Sequence, residues 1–175
     1  LLVADKYKLQ NPGRISVIKN KTPAGLQKLS NDILNRANGK YMMRLDADDW
    51  LDEVAILAMV AKLEEKSDIG IVYGNYFYVD VKGNILDIES RYKLGIEDTA
   101  GHLAPHGACT MFRTRSLKSV GGYSETVNAQ DGWDLWYKLF ARIGAASLNM
   151  PTFYYRQHGK SMSCDRKRLL DARSK

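Results

Sequence analysis

The hydrophobic pattern of this chain changes period repeatedly, and that alternation limits its fold more than any other feature. β-branched or aromatic runs fit strands at 14–19, 41–45, 69–79, 85–88, 109–113 and 146–156. Between them lie residues at helical spacing: Leu26, Leu29, Ile33 and Ala37, then Leu57, Val60, Ala61 and Leu63 within 52–66. A short helix is expected over 116–120, and Leu135, Leu139 and Ile143 share a face within 134–143. Pro23 near the first helix start, Asn38-Gly39 at its end and Gly121-Gly122 after the short helix are apt punctuation. Lys82-Gly83-Asn84 marks a hairpin turn, and 91–105 has no period and reads as a loop. Strands alternating with helices, without repeat or low-complexity linker, predict one α/β domain over 1–175, with a basic tail at 165–175.

Composition narrows the class. With 45% hydrophobic and 26% charged residues, the chain is not disordered, collagen-like or a coiled coil. Twenty-six Lys+Arg against 20 Asp+Glu leave a net charge of +6, which favours anionic partners: phosphates, nucleic acid or a lipid surface. The aromatic run 73–78 carries no basic residue, which argues against nucleic acid. Two cysteines, Cys109 and Cys164, make no disulfide framework, so a reducing, cytoplasmic compartment is expected. No apolar run reaches the roughly 20 residues of a membrane span. The tail reads as a solvated end, with peripheral contact at the inner membrane face as the alternative. Residues 1–8 hold neither an initiator Met nor a signal-peptide core, so the chain is expected to begin part-way through a domain.

The strand at 41–45 runs straight into Asp46-Ala47-Asp48-Asp49. In open α/β sheets ligands sit beyond the carboxyl ends of strands. Carboxylates there suit Mg²⁺ or Mn²⁺, which take one or two of them together with substrate phosphates. The alternative is that Asp48, Asp49 or Asp52 caps the next helix. Spacing alone leaves both readings standing.

Longer patterns distinguish them. Gly25, Ser30-Asn31, Ala37-Asn38-Gly39-Lys40-Tyr41 and Leu45-Asp46-Ala47-Asp48-Asp49, in that order, resemble the signature of family-2 glycosyltransferases. Phe112-Arg113 followed by Gly121-Gly122-Tyr123-Ser124-Glu125 is similar to that family's F-R and G-G-Y/F-x-E element. Gln130-Asp131-Gly132-Trp133-Asp134-Leu135-Trp136 is similar to its later acidic motif, and Tyr155-Arg156-Gln157-His158 with Ser161 and Ser163 to its closing Y-R-x-H-x-x-S-x-S. Haloacid-dehalogenase-like phosphatases also end a strand in D-x-D, but want Thr or Val where this chain has Trp50. The family's opening S-V-I-I-P strand and D-D-x-S strand end, which hold the nucleoside base, are absent, so the chain resembles the later two-thirds of the family domain.

The resemblance implies a GT-A fold: a Rossmann-type mixed sheet flanked by helices, lacking its first nucleotide-binding strands. It implies an inverting, Mg²⁺- or Mn²⁺-dependent transfer from a nucleotide-diphosphate sugar to a saccharide or lipid-linked acceptor, in polysaccharide or glycolipid synthesis. On this reading Asp48 and His158 hold the metal. Asp46, Asp48, Asn31, Arg156 and His158 bind the nucleotide sugar, and Asp46 faces either the ribose or the metal. Asp131 is the general base, unless the register places Asp134 in the motif's D-L-W and makes Asp131 its first acid. Trp133 faces the acceptor, whereas Trp136 is core. His102 and His106 are tied to no site. The rival readings are a nucleotidyltransferase-like enzyme, which would want a Gly-rich basic phosphate loop not seen here, and a non-catalytic glycan-binding module.

Overall fold

A computed structural model describes residues 2–91, 106–126, 131–140 and 142–158. The expected features at 92–105 and in the basic tail, with His102 and Ser161, lie outside these residues. Elements follow in the order α1 (Leu2–Gln10), α2 (Leu26–Arg36), β1 (Tyr41–Met43), β2 (Trp50–Leu51), α3 (Ala55–Glu65), β3 (Ile71–Val79), β4 (Ile85–Glu89), β5 (Met111–Arg113), α4 (Thr114–Ser119), α5 (Asp131–Phe140) and β6 (Ala145–Arg156). One mixed sheet has strand order β1-β5-β3-β6-β2, with β4 pairing the second half of β3. Among the described residues only β3 and β6 pair in parallel; the other pairs are antiparallel.

The period of two on β3 divides the core. Ile71 and Tyr73 face a layer containing Leu34 of α2, Leu117 of α4 and Leu135, Trp136 and Leu139 of α5. Val72 faces Met59 and Leu63 of α3. Further along the same face, Tyr76 packs with Phe153, Ala108 and Cys109. Burying these aliphatic and aromatic side chains supplies the main stabilisation, about 1.5–3 kcal/mol for each fully buried one.

β6 is irregular where it matters. Its register against β3 shifts between Gly74 and Tyr76, so that Leu148 pairs with Gly74 but Phe153 pairs with Tyr76. The bulge contains Pro151, which cannot donate to a ladder. At Gly74 a Cβ would lie 2.3 Å from Thr152 Cγ2, so only glycine admits this crossing. Bulges re-aim side chains, and this one delivers the end of β6 to the acidic turn.

Three expectations change. Residues 14–19 form no strand: the Arg14 and Ile15 N–H groups both donate to Asn11 O, and no described strand lies alongside to complete a ladder. In α2 the buried side chains are Gln27, Ser30 and Leu34, while Leu29 and Ile33 are exposed. The helix turns this way because it meets the glycine loop at 121–122, where a Cβ on Gly122 would sit 3.0 Å from Leu34 Cδ2. In α3 the buried line is Ala55, Met59 and Leu63, and Leu57 points to solvent. The hairpin, the short helix with its glycine stop and the core position of Trp136 are as expected.

Candidate active site at the acidic turn

β1 ends at Met43, and the chain turns so that Asp49 N–H donates to Asp46 O at 3.2 Å. Each of the three aspartates has a different environment. Asp46 pairs with Arg44, its Oδ1 lying 2.9 Å from Nε. Asp49 is only 8% exposed; its Oδ1 accepts the Arg156 N–H at 2.9 Å, and its buried Oδ2 has no hydrogen-bond partner among the described residues. Burial pushes its carboxyl up to about 6, and the charges of Asp48 and Asp46 add to that rise. Asp48 is the accessible one. Its Oδ2 lies 3.0 Å from His158 Nε2, and the two side chains are 45% and 32% exposed.

Asp48 and His158, 110 positions apart in the chain, therefore meet. β2 holds the first through its pairing with β6, Trp50 opposite Tyr154 and Leu51 opposite Phe153. The Asp52 N–H donates to Thr152 O at 2.9 Å and fixes the exit of the turn. Asp52 Oδ1 also accepts the Val54 N–H at 3.2 Å, a turn just ahead of α3, whose N-cap Val54 has no side-chain cap bond.

Arg156 was expected at a phosphate, but its described donors go to main-chain carbonyls. Nε–H donates to Asp48 O at 2.9 Å, and Nη1 to Val81 O at 2.6 Å and Asp80 O at 3.3 Å. Its guanidinium lies 5.1 Å from the centre of the Trp50 ring, which stacks on Tyr154. Asn31 stands in another contact. Its Nδ2 donates to Tyr123 O and Glu125 Oε1, both at 2.9 Å, and its Oδ1 accepts the Tyr123 N–H at 2.8 Å. The amide thus ties α2 to the glycine-rich loop, which gives a physical reason for an Asn early in the chain to accompany G-G-Y-x-E later.

α5 already includes Asp131, three residues before the start that periodicity predicts. The Asp131 side chain lies outside the described residues. Asp134 sits in the helix's first turn, where Oδ2 accepts Ser124 N–H at 3.1 Å and Lys138 Nζ–H at 2.7 Å. Those bonds tie Ser124, after the glycine pair, to α5. Trp133 is half-buried against the α5 side of the core, with its ring 5.9 Å from Tyr137.

Sequence reasoning tied three further residues to no part of this site. Trp50 supports the Arg156 guanidinium. Cys109, in a left-handed conformation at φ 58°, donates its N–H to Arg44 O at 2.7 Å; burial, chiefly, holds its thiol well above the usual range. His106 rests 4.6 Å from the Tyr155 ring, with Nδ1 accepting the Ala108 N–H at 3.2 Å. None carries a local sequence signal beyond its type, because each also meets a residue distant in the chain: Arg156, Arg44 and Tyr155 respectively.

Residues 2–121 match the model of glycosyl transferase family 2. The chain belongs to this family. An uncharacterized glycosyltransferase of Methanocaldococcus jannaschii is 28% identical over 137 residues, covering 75% of this chain and 47% of that protein. Escherichia coli chondroitin synthase is 26% identical over 159 residues, covering 87% of this chain and 22% of that protein. The chain thus spans about half the length of the first relative and less of the second. Among solved structures, S. aureus TarS with UDP-GlcNAc aligns with TM-score 0.72 at 17% identity over 94% of this chain and 48% of that one. A Pyrobaculum calidifontis mannosyltransferase with GDP-Man and Mn²⁺ aligns with TM-score 0.66 at 14% identity over 98% of this chain and 48% of that one. These likenesses fix the fold as GT-A. Among the described residues no group of three or more His, Cys, Asp or Glu side chains is arranged to hold a metal, and no helix is long and apolar enough to cross a membrane.

Proposed function

We propose that this family-2 chain carries out an inverting sugar transfer from a nucleotide-diphosphate sugar to a saccharide or lipid-linked hydroxyl, assisted by Mg²⁺ or Mn²⁺. The observation that carries this reading is the 3.0 Å contact between Asp48 and His158 at the carboxyl end of the sheet. One carboxylate and one imidazole, both accessible, make an incomplete ligand set, the kind a diphosphate and waters complete around such a cation. The Asp49 Oδ2, without a hydrogen-bond partner among the described residues, leaves further negative charge in the turn that a cation would offset. When bound, the cation neutralises charge on the departing diphosphate.

The residues of the chain do the rest. Asp46, held by Arg44, faces the donor's ribose side of the turn. Asp131, at the start of α5, is the general base. It takes the acceptor hydroxyl proton as the acceptor oxygen bonds to the anomeric carbon and that carbon's bond to the diphosphate oxygen breaks. Attack from the face opposite the leaving group inverts the configuration. Trp133 offers a flat apolar face to the acceptor sugar. Asn31 and Arg156 bind no donor atom on this reading; they hold the loops that do. The ligands held by the structural neighbours, UDP-GlcNAc and GDP-Man, support a nucleotide-diphosphate sugar as donor class. The chondroitin synthase relative supports polysaccharide synthesis as the setting.

Calorimetric titration of Mn²⁺ together with UDP or GDP tests the pair. Asp48→Asn keeps the side-chain shape and removes the charge, and His158→Ala removes the second ligand. Both are expected to lose cation-dependent nucleotide binding. Binding equal to the parent's in both variants would overturn the metal role.

A further inference from the structure

The acidic turn is fastened to a second turn on the far side of β6, and one side chain makes the connection. The Arg156 main-chain N–H holds Asp49 Oδ1 at 2.9 Å, and Nε–H on the same residue holds the Asp48 carbonyl at 2.9 Å. The other arm of the guanidinium, Nη1, holds the carbonyls of Val81 and Asp80 in the β3–β4 turn. A guanidinium is planar and rigid, so its two arms cannot move independently. The Trp50 ring beneath it, itself stacked on Tyr154, restricts tilting of that plane.

The β3–β4 turn is itself set by Asp80. Its Oδ1 accepts the N–H groups of Lys82 at 2.8 Å and Asn84 at 2.9 Å, and its Oδ2 accepts Asn84 Nδ2–H at 2.8 Å. Main-chain bonds from Asp80 N–H to Asn84 O and from Gly83 N–H to Asp80 O, both 3.0 Å, close the turn. Gly83 supplies the left-handed φ of +91° that it requires. The Asp80 carboxylate therefore decides where the carbonyls of residues 80 and 81 point, and those carbonyls decide where Arg156 sits. On the other side, β6 continues through the Gln157 N–H bond to Val79 O at 2.8 Å, directly before His158.

We infer that Arg156 is a positioning residue that couples the Asp80 turn to the Asp48–His158 pair, so that Asp80, which does not touch the pair, sets its affinity for a divalent cation with a nucleoside diphosphate. This rests on the metal reading proposed above. Partners that orient metal ligands typically change metal affinity about 10–100-fold when removed. Arg156→Met keeps the stem over Trp50 and removes every guanidinium bond; it belongs in that range. Asp80→Ala loosens only the far anchor and belongs near the lower end, about 10-fold. Because both act through one path, the double variant binds no more weakly than Arg156→Met alone.

The test titrates Mn²⁺ alone, then with UDP and with GDP, into the intact chain, with thermal midpoints recorded for every variant. Asp80→Asn keeps an oxygen for the Lys82 and Asn84 N–H groups and is expected to restore most of the affinity lost in Asp80→Ala. Lys82→Ala, in the same turn, is expected to match the parent. A purely structural role for Asp80 predicts a lowered midpoint with unchanged affinity, and that result overturns the coupling. So do losses that multiply in the double variant, or an Asp80→Asn protein no better than Asp80→Ala. Asp48→Asn separates the two layers. If it abolishes binding while Asp80→Ala does not weaken it, the coupling alone fails; if it binds as the parent does, the metal reading fails and takes the coupling with it.

Discussion

Arg113 offers the sharpest test of how this fold is held, because a buried cation serves the end of one element and the start of another. The residue is 6% exposed. Nε–H donates to Ile69 O at 2.7 Å, and Nη2 to Leu63 O and, at 3.1 Å, to Lys66 O. Nη1 reaches the Tyr41 hydroxyl at 3.4 Å, and the guanidinium lies 5.7 Å from the centre of that ring. Leu63 and Lys66 are at the carboxyl end of α3, where orphan carbonyls and the helix dipole both favour a cation. Replacing Arg113 by Met fills much of the volume but leaves the Ile69 and Leu63 carbonyls buried without these donors. Each such acceptor costs about 1–3 kcal/mol, and losing the cation at the helix end adds about 0.3–1 kcal/mol. Water can recapture Lys66 O, so the expected loss for Arg113→Met is about 3–5 kcal/mol, a large part of the roughly 5–15 kcal/mol a domain has. Arg113→Lys keeps the charge on a single nitrogen that cannot serve both Ile69 O and α3, and about half the loss is expected. Urea unfolding followed by circular dichroism measures both from the shift in midpoint. A midpoint for Arg113→Met within about 1 kcal/mol of the parent, at unchanged slope, would refute the reasoning.

Two further outcomes follow from the same geometry. Asp131→Asn is expected to lower kcat about 10²–10⁴-fold with KM nearly unchanged, whereas Asp134→Asn costs about 1 kcal/mol of stability and little rate; steady-state kinetics with urea melts distinguish them, and the reverse pattern would exchange the two roles. Gly74→Ala puts a methyl 2.3 Å from Thr152 Cγ2 in the β6 bulge, so a loss of about 1–3 kcal/mol or more is expected in the same melts, and a neutral substitution would mean the bulge is not tightly packed.

The order and type of most elements were legible because local periodicity dictates them. The hairpin at 82–84 could be read from its Gly turn, and the core role of Trp136 from its residue type, a large aromatic more often packed than ligand-binding. The helix faces were less legible. Leu29 and Ile33 have the right spacing and are exposed, while Ser30 and Gln27 are buried, because a close approach between α2 and a glycine loop decides which side turns inward. Periodicity reports that a helix has an apolar side, not which neighbour it meets. The strand expected at 14–19 fails for a related reason: a β-branched run becomes a strand only where another strand completes its hydrogen bonds.

At the site, the sequence by itself determined the chemistry on offer: three aspartates after an apolar strand, an Arg ending a late strand with a His two positions on, and Asp131 and Asp134 around a helix start. It determined nothing about which of them meet. The pairing of Asp48 with His158, the burial of Asp49 and the engagement of Arg156 by the carbonyls of residues 48, 80 and 81 arise from the tertiary structure alone. The physical reason is the β6 bulge. On β3, Val72 and Tyr76 lie on the same face, yet their β6 partners Ala146 and Phe153 are an odd number of positions apart. Side chains alternate strictly along a regular strand, so no reading of local pattern carries a face assignment across such a shift, and only the folded sheet decides where the last residues of β6 point.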